Sequence, residues 1–250
     1  MHTLILSSYF SVKKHPNDPS DNSVVGRGDD GRVKSNSFKY IEGWYNSVIN
    51  SGVDAVLFYD EMDEEFVQRY QTNKIKFVHT NVNTYSNNDY RFFCFSDYLN
   101  NLEDKPEVVF HNDASDVTVV KDPFDLVAKN TDIDYFCCKD SIPLNQFPYI
   151  KIHETFGWDD SLIFRLNYQN WWLINMGVIG GTFEKMKNFY NKFVDIRESM
   201  GSPDFNADMW VLQYLIRSVL QPNEFMMGDP VCSEFKKYQN NREDVYFIHK

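Results

Sequence analysis

Four short apolar runs of one kind dominate the first half of the chain and limit what it can fold into. They are "TLILSSYF" (residues 3–10), "DAVLFYD" (54–60), "IKFVHT" (75–80) and "EVVFHND" (107–113). Each has the length of a buried strand, and each pair is separated by a segment with helical signals. Between the first two, Phe38, Ile41, Trp44, Tyr45, Val48 and Ile49 recur at helical spacing and Gly52 is placed to end the turn. "DEEFVQRYQ" and "DYRFFCFSDYLNNL" fill the next two intervals. Strands alternating with helices predict an α/β chain with a mostly parallel central sheet and helices on both faces. Ligands of such sheets bind at the carboxyl ends of the strands.

The second half is less regular. "DIDYFCCKD" (132–140) reads as a strand, and "IPLNQFPYIKIHETFGWDDSL" has two prolines and no clean period, so it reads as loop. "WWLINMGVIGG" (171–181) reads as a strand closing in a glycine turn. Two helical patterns follow, the first with Thr182 as its N-cap candidate and the second beginning "NADMWVLQYLI"; "DVYFIHK" reads as a last strand reaching His249. The long polar segment near residues 13–36 is the main loop candidate, and its composition predicts a lid that orders on ligand binding. With no repeat and no linker, residues 1–250 read as one domain: a nucleotide-binding half to about 120 and an acceptor half beyond it.

Composition excludes some functions. A net charge of −11 lacks the basic footprint of a nucleic-acid surface. It permits a phosphate ligand, because a divalent cation can supply positive charge locally. The aromatic content of 16% suits a sheet-rich core and a site that stacks on rings. Cys94, Cys137, Cys138 and Cys232 show no CxxC spacing, so they are expected to be reduced core thiols in a reducing compartment. No signal peptide and no apolar run long enough to span a membrane is apparent, so a soluble, cytoplasmic protein is expected.

The chemistry concentrates in "HNDASDVTVVKDPF" (111–124), where Asp113 and Asp116 directly follow an apolar run. Carboxylates crowded at the end of a buried strand are costly unless something positive joins them. Two such groups on a tight turn offer oxygen ligands to a hard divalent cation, and an imidazole adds one that Mn²⁺ tolerates.

This layout resembles the A-type (GT-A) glycosyltransferases, which use nucleotide-diphosphosugar donors and carry a DxD motif or variant at a strand end. The form Asp113-Ala-Ser-Asp116 is similar to the DxxD variant in the glycosyltransferase domains of collagen-modifying enzymes. There a histidine near the domain's end also holds the metal, which matches His249. "INMGVIGG" resembles the family's Asn-x-Gly segment beside the donor sugar, giving Asn175 and Gly177; "FNADMWVLQYLI" resembles the acidic start of the following helix, giving Asp208. In compactness the chain is loosely similar to glycosyltransferases of large DNA viruses. The match in segment order covers nearly the whole chain.

The resemblance implies Mn²⁺ or Mg²⁺ on Asp113, Asp116 and His249. It implies a UDP-linked donor touching Ser7, Ser8, Tyr9, Asp113, Asn175 and Gly177, and a glycan acceptor; Arg91 and Lys250 join the donor-binding candidates by their charge, as clamps on the diphosphate. Asp208 and Asp159 are the candidate bases if the reaction inverts the anomeric centre. Each residue has a plainer alternative. Asp208 suits the start of a helix, His249 a frayed terminus, Arg91 a solvated helix face, Ser7 to Tyr9 an ordinary strand end, and Asp159, beside Trp158, an irregular loop. Two rival functions are a sugar-1-phosphate nucleotidyltransferase, whose glycine-rich nucleotide loop would have to be "GRGDDGR" (26–32) well beyond the end of the first strand, and a non-catalytic glycan-binding module.

Overall fold

The computed structural model describes residues 2–16, 28–81, 83–146, 170–201, 203, 205–220 and 225–250. The first half folds as its pattern predicts. Strands β1 (Thr3–Tyr9), β2 (Asp54–Tyr59), β3 (Ile75–His79) and β4 (Val108–Asn112) are separated by helices α1 (Phe38–Ser51), α2 (Glu64–Tyr70) and α3 (Asn87–Asn100). Gly52 ends α1 at φ 74°, a left-handed conformation that glycine adopts without strain. Ser86 caps α3 by accepting from the Asp89 amide at 3.2 Å.

After β4 the chain forms β5 (Val117–Val119), α4 (Phe124–Lys129), β6 (Tyr135–Pro143) and β7 (Trp172–Thr182). It continues through α5 (Phe183–Ser199), α6 (Asp208–Tyr214), β8 (Phe225–Met227) and β9 (Phe247–His249). A seven-stranded sheet results, in the order β3-β2-β1-β4-β7-β6-β8. All its neighbours pair in parallel except β7, which runs antiparallel to both β4 and β6. β5 and β9 form a separate antiparallel ribbon in which Val117 faces His249.

Alternation along the strands divides the interior into two cores. Ile5, Leu57, Phe110 and Cys138 point to the side covered by α1, α2 and α4. Leu6, Val56, Val109 and Cys137 point to the side covered by α3, α5 and α6. Helices therefore cover both faces, as a mostly parallel sheet requires.

Two expectations are corrected here. Gly180 and Gly181 lie inside β7, opposite Phe110 and Val109, and do not form a turn. A Cβ on Gly180 would meet the Phe110 ring at 2.1 Å, and one on Gly181 the Asp134 carbonyl oxygen at 2.7 Å. The glycines are there because neighbours pass too close for any side chain. Second, Cys138 and Cys232 form a disulfide, while Cys94 and Cys137 are buried free thiols. Adjacent strand residues face opposite sides, so Cys138 meets Cys232 in one core and Cys137 is sealed in the other. Thr182 does begin α5, but its side chain makes no capping bond.

Part of the expected lid is tied down. Lys14 bridges Arg32, the His15 amide donates to the Gly31 carbonyl at 3.0 Å, and Val33 is buried. Residues 17–27 of that segment lie outside the described residues. No described helix is long and apolar enough to cross a membrane.

Candidate active site

The reversed direction of β7 gathers the site. β1, β4 and β6 all end at one edge of the sheet, and β7 begins there. Ser8, Asp113, Asp140, Asn175 and Gly177 consequently share that edge, and all line a cavity of about 510 Å³. That size is ordinary for a small-molecule site. The turn after β4 is fixed by the Asp113 amide, which donates to the Gly177 carbonyl at 3.1 Å. The Lys250 amide donates to the Asp116 carbonyl at 3.1 Å, which docks the end of β9 against the same turn.

Asp113, Asp116 and His249 each offer one ligand atom, and these atoms all lie within 4.8 Å of one another. The His249 Nε2 atom is 3.5 Å from an Asp116 carboxylate oxygen. His249 is buried, and its Nδ1 has no hydrogen-bond partner among the described residues. Burial opposes charging of the ring, but Asp116, then Asp113 and Asp140, outweigh it and raise its pKa above the usual value. Two oxygen donors and an imidazole with an orphaned buried nitrogen of its own fit a divalent cation. Gly177 makes the arrangement possible: a Cβ there would lie 2.1 Å from the His249 Cε1 atom.

Arg91 projects from α3 and ion-pairs with Asp113 through Nη1, while its Nη2 lies 3.3 Å from Asp208. One guanidinium thus serves two carboxylates in a nearly dry setting. Burial pushes the Asp208 carboxyl up to about 6; Arg91 opposes that rise, and Asp89 and Asp113 add to it. Arg91 is buried, so it does not occupy the solvated helix face that its sequence position also allowed.

The other predicted residues divide. Ser8, Asn175, Gly177, Asp208 and Lys250 line the cavity with Arg91, Asp113, Asp116 and His249. Ser7 and Tyr9 do not: strand alternation turns both away from Ser8. The Ser7 hydroxyl donates to the Asn112 carbonyl at 2.7 Å, and the Tyr9 hydroxyl donates to the Lys34 carbonyl and accepts from the Ser37 amide at 2.9 Å. Both are tertiary fastenings. Asp159, with Trp158, lies outside the described residues. His249 is not frayed, because β9 is paired along its length.

Asp140 and Tyr40 also line the cavity and are not marked out by the sequence motifs. Asp140 accepts from the Asn175 side-chain amide at 2.9 Å, and the Asn175 oxygen accepts from the Gly177 amide at 2.7 Å, which holds this corner rigid. Asp140 carries the same signal that exposed Asp113: an acid at the end of an apolar strand. Tyr40 had no such signal, because it reads as one more apolar position on α1. Burial, then Asp113 and Asp116, raise its pKa, so its phenol stays protonated beside the two acids.

His111 completes the support behind the turn. Its Nε2 donates to the Met176 carbonyl at 3.0 Å, so its Nδ1 accepts from the Tyr190 hydroxyl at 3.1 Å. Burial, with help from nearby Arg91, lowers its pKa to about 3, which keeps the ring neutral.

No protein-family model matches this chain, and no curated protein matches it in sequence.

Proposed function

We propose that this protein is a metal-dependent glycosyltransferase of the GT-A type that moves a sugar from a UDP-linked donor to a glycan hydroxyl. The observation that carries the reading is the convergence of Asp113, Asp116 and His249 at the carboxyl edge of the sheet, on the rim of a cavity that also holds Arg91 and Asp208.

Asp113, Asp116 and His249 would hold Mn²⁺ or Mg²⁺, which supplies charge neutralisation for a diphosphate leaving group. Arg91 presents a fixed cation to the same region, and Lys250 brings a second one to the cavity wall. Asn175, locked between Asp140 and the Gly177 amide, offers a rigid polar edge to the donor sugar. Tyr40 remains a hydroxyl and adds no negative charge beside the acids. Asp208, with its carboxyl near 6, is ionised at neutral pH and able to take a proton from an acceptor hydroxyl if the reaction inverts.

The test is metal-dependent UDP binding, read by calorimetry with and without Mn²⁺. Asp113→Ala and Asp116→Ala are each expected to abolish the metal-dependent component while leaving circular dichroism unchanged. Parent-like UDP affinity in Mn²⁺ for either variant would sink the assignment. Incubation with UDP-sugars should then release UDP, whereas formation of UTP and a sugar 1-phosphate only when pyrophosphate is added would point to nucleotidyl transfer instead.

A further inference from the structure

His249 belongs to a second group of ligand atoms. The sulfurs of Cys138 and Cys232 and one ring nitrogen of His249 also lie within 4.8 Å of one another. All three residues are buried, at 0%, 1% and 2% exposure. The elements that carry them are independently braced. β6 is paired with β7, Cys232 bridges Phe247, and the His249 amide donates to Ser233 Oγ at 3.0 Å. The Phe235 ring packs on the imidazole at 4.3 Å. Opening the sulfur–sulfur bond would therefore leave both thiols close to an imidazole whose Nδ1 has no partner among the described residues.

We propose that reduction of Cys138–Cys232 creates a zinc site from Cys138, Cys232 and His249. The step is thiol–disulfide exchange. A small dithiol supplies two electrons and two protons, the protein's sulfur–sulfur bond breaks, and the dithiol leaves as its own disulfide. Each cysteine thiol then gives up its proton on binding the cation. Two thiolates and an imidazole are a donor set for Zn²⁺, with one position left open; Mn²⁺ and Mg²⁺ prefer oxygen. The two sets draw on a single ring, and a neutral imidazole has one free lone pair. Zinc bound to the sulfurs withdraws His249 from Asp113 and Asp116. The disulfide state thereby selects between an oxygen-rich and a sulfur-rich site, whatever reaction the cavity performs.

Co²⁺ reports the difference, because thiolate ligation gives it a charge-transfer absorption that carboxylates and imidazole do not. The oxidised protein titrated with Co²⁺ is expected to lack that band. The dithiol-reduced protein should develop it to one equivalent and lose it when Zn²⁺ is added. The Cys138→Ser/Cys232→Ser double variant, which also lacks the disulfide, should abolish the band; Asp116→Asn should leave it in place. Absence of the band from reduced protein overturns the proposal, whether or not the near-ultraviolet dichroism shows that the fold persisted. A band that survives in the double variant also overturns it, because the sulfur would then come from Cys94 or Cys137.

Discussion

Arg91 and Arg197 are both buried and each meets an acid, yet the two ion pairs are built for opposite purposes. Arg197 on α5 donates through Nε to Asp89 at 2.9 Å and through Nη2 to the backbone carbonyls of Pro203 and Phe205 at 3.2 and 2.7 Å. Asp89 in turn accepts from the Ala207 amide with both carboxylate oxygens, each at 3.2 Å. Bonds from this pair run into the backbone that leads to α6, and both side chains are sealed at 1% and 0% exposure. Arg91, two residues along α3 from Asp89, instead joins two acids that face a cavity. One pair closes a structure, and the other leaves charge unbalanced where a ligand can reach it. A buried ion pair is informative about function through what remains unsatisfied around it.

Breaking the closed pair should have the largest effect. Arg197→Met is expected to cost about 3–5 kcal/mol, because Asp89 would be left buried without its cation. Urea denaturation would measure this, and a loss below about 1 kcal/mol would show that the pair is ornamental. Arg91→Met should divide the other way. UDP affinity in Mn²⁺ should fall at least tenfold, about 1.4 kcal/mol, with a smaller change in unfolding free energy than Arg197→Met. Equal losses of stability from the two variants would erase the contrast.

The smallest effect is a slope. The folded-state pKa of Asp208 is raised to about 6, above its unfolded value. Its contribution to stability is present at low pH and is lost as pH rises through about 6. Asp208→Asn should remove that decline, leaving the variant more stable than the parent by about 2–3 kcal/mol at pH 8 and little different at pH 4. Chemical denaturation at the two pH values decides it, and parallel curves would mean that Arg91 fully compensates the carboxylate.

Much of this was legible in the sequence, and the failures have physical causes. β1 to β4 were readable because buried parallel strands are near-continuous apolar runs bounded by polar turns. Asp113, Asp116 and His249 were readable because acids after a buried strand, and an apolar run before a penultimate histidine, both contradict ordinary placement. Gly180 and Gly181 misled because a glycine pair signals a turn as strongly as it signals close approach. The disulfide was hidden because Cys137-Cys138 reads as one apolar unit, although the pleat sends its two members into different cores. Ser7 and Tyr9 were grouped with Ser8 by position alone, when only alternate residues of a strand share a face.

The pairing of β5 with β9 also sets a timetable. Val117 and His249 face each other although on the order of 130 residues separate them in the chain, a stretch a ribosome takes roughly ten seconds to make. During that interval β1 to β4 can already be assembled and the Asp113–Asp116 turn already formed, with no imidazole beside it. The nascent protein therefore holds a half-built pocket and an unpaired β5 until β9 emerges. Whatever the finished pocket captures, it cannot capture through His249 before translation has reached that point.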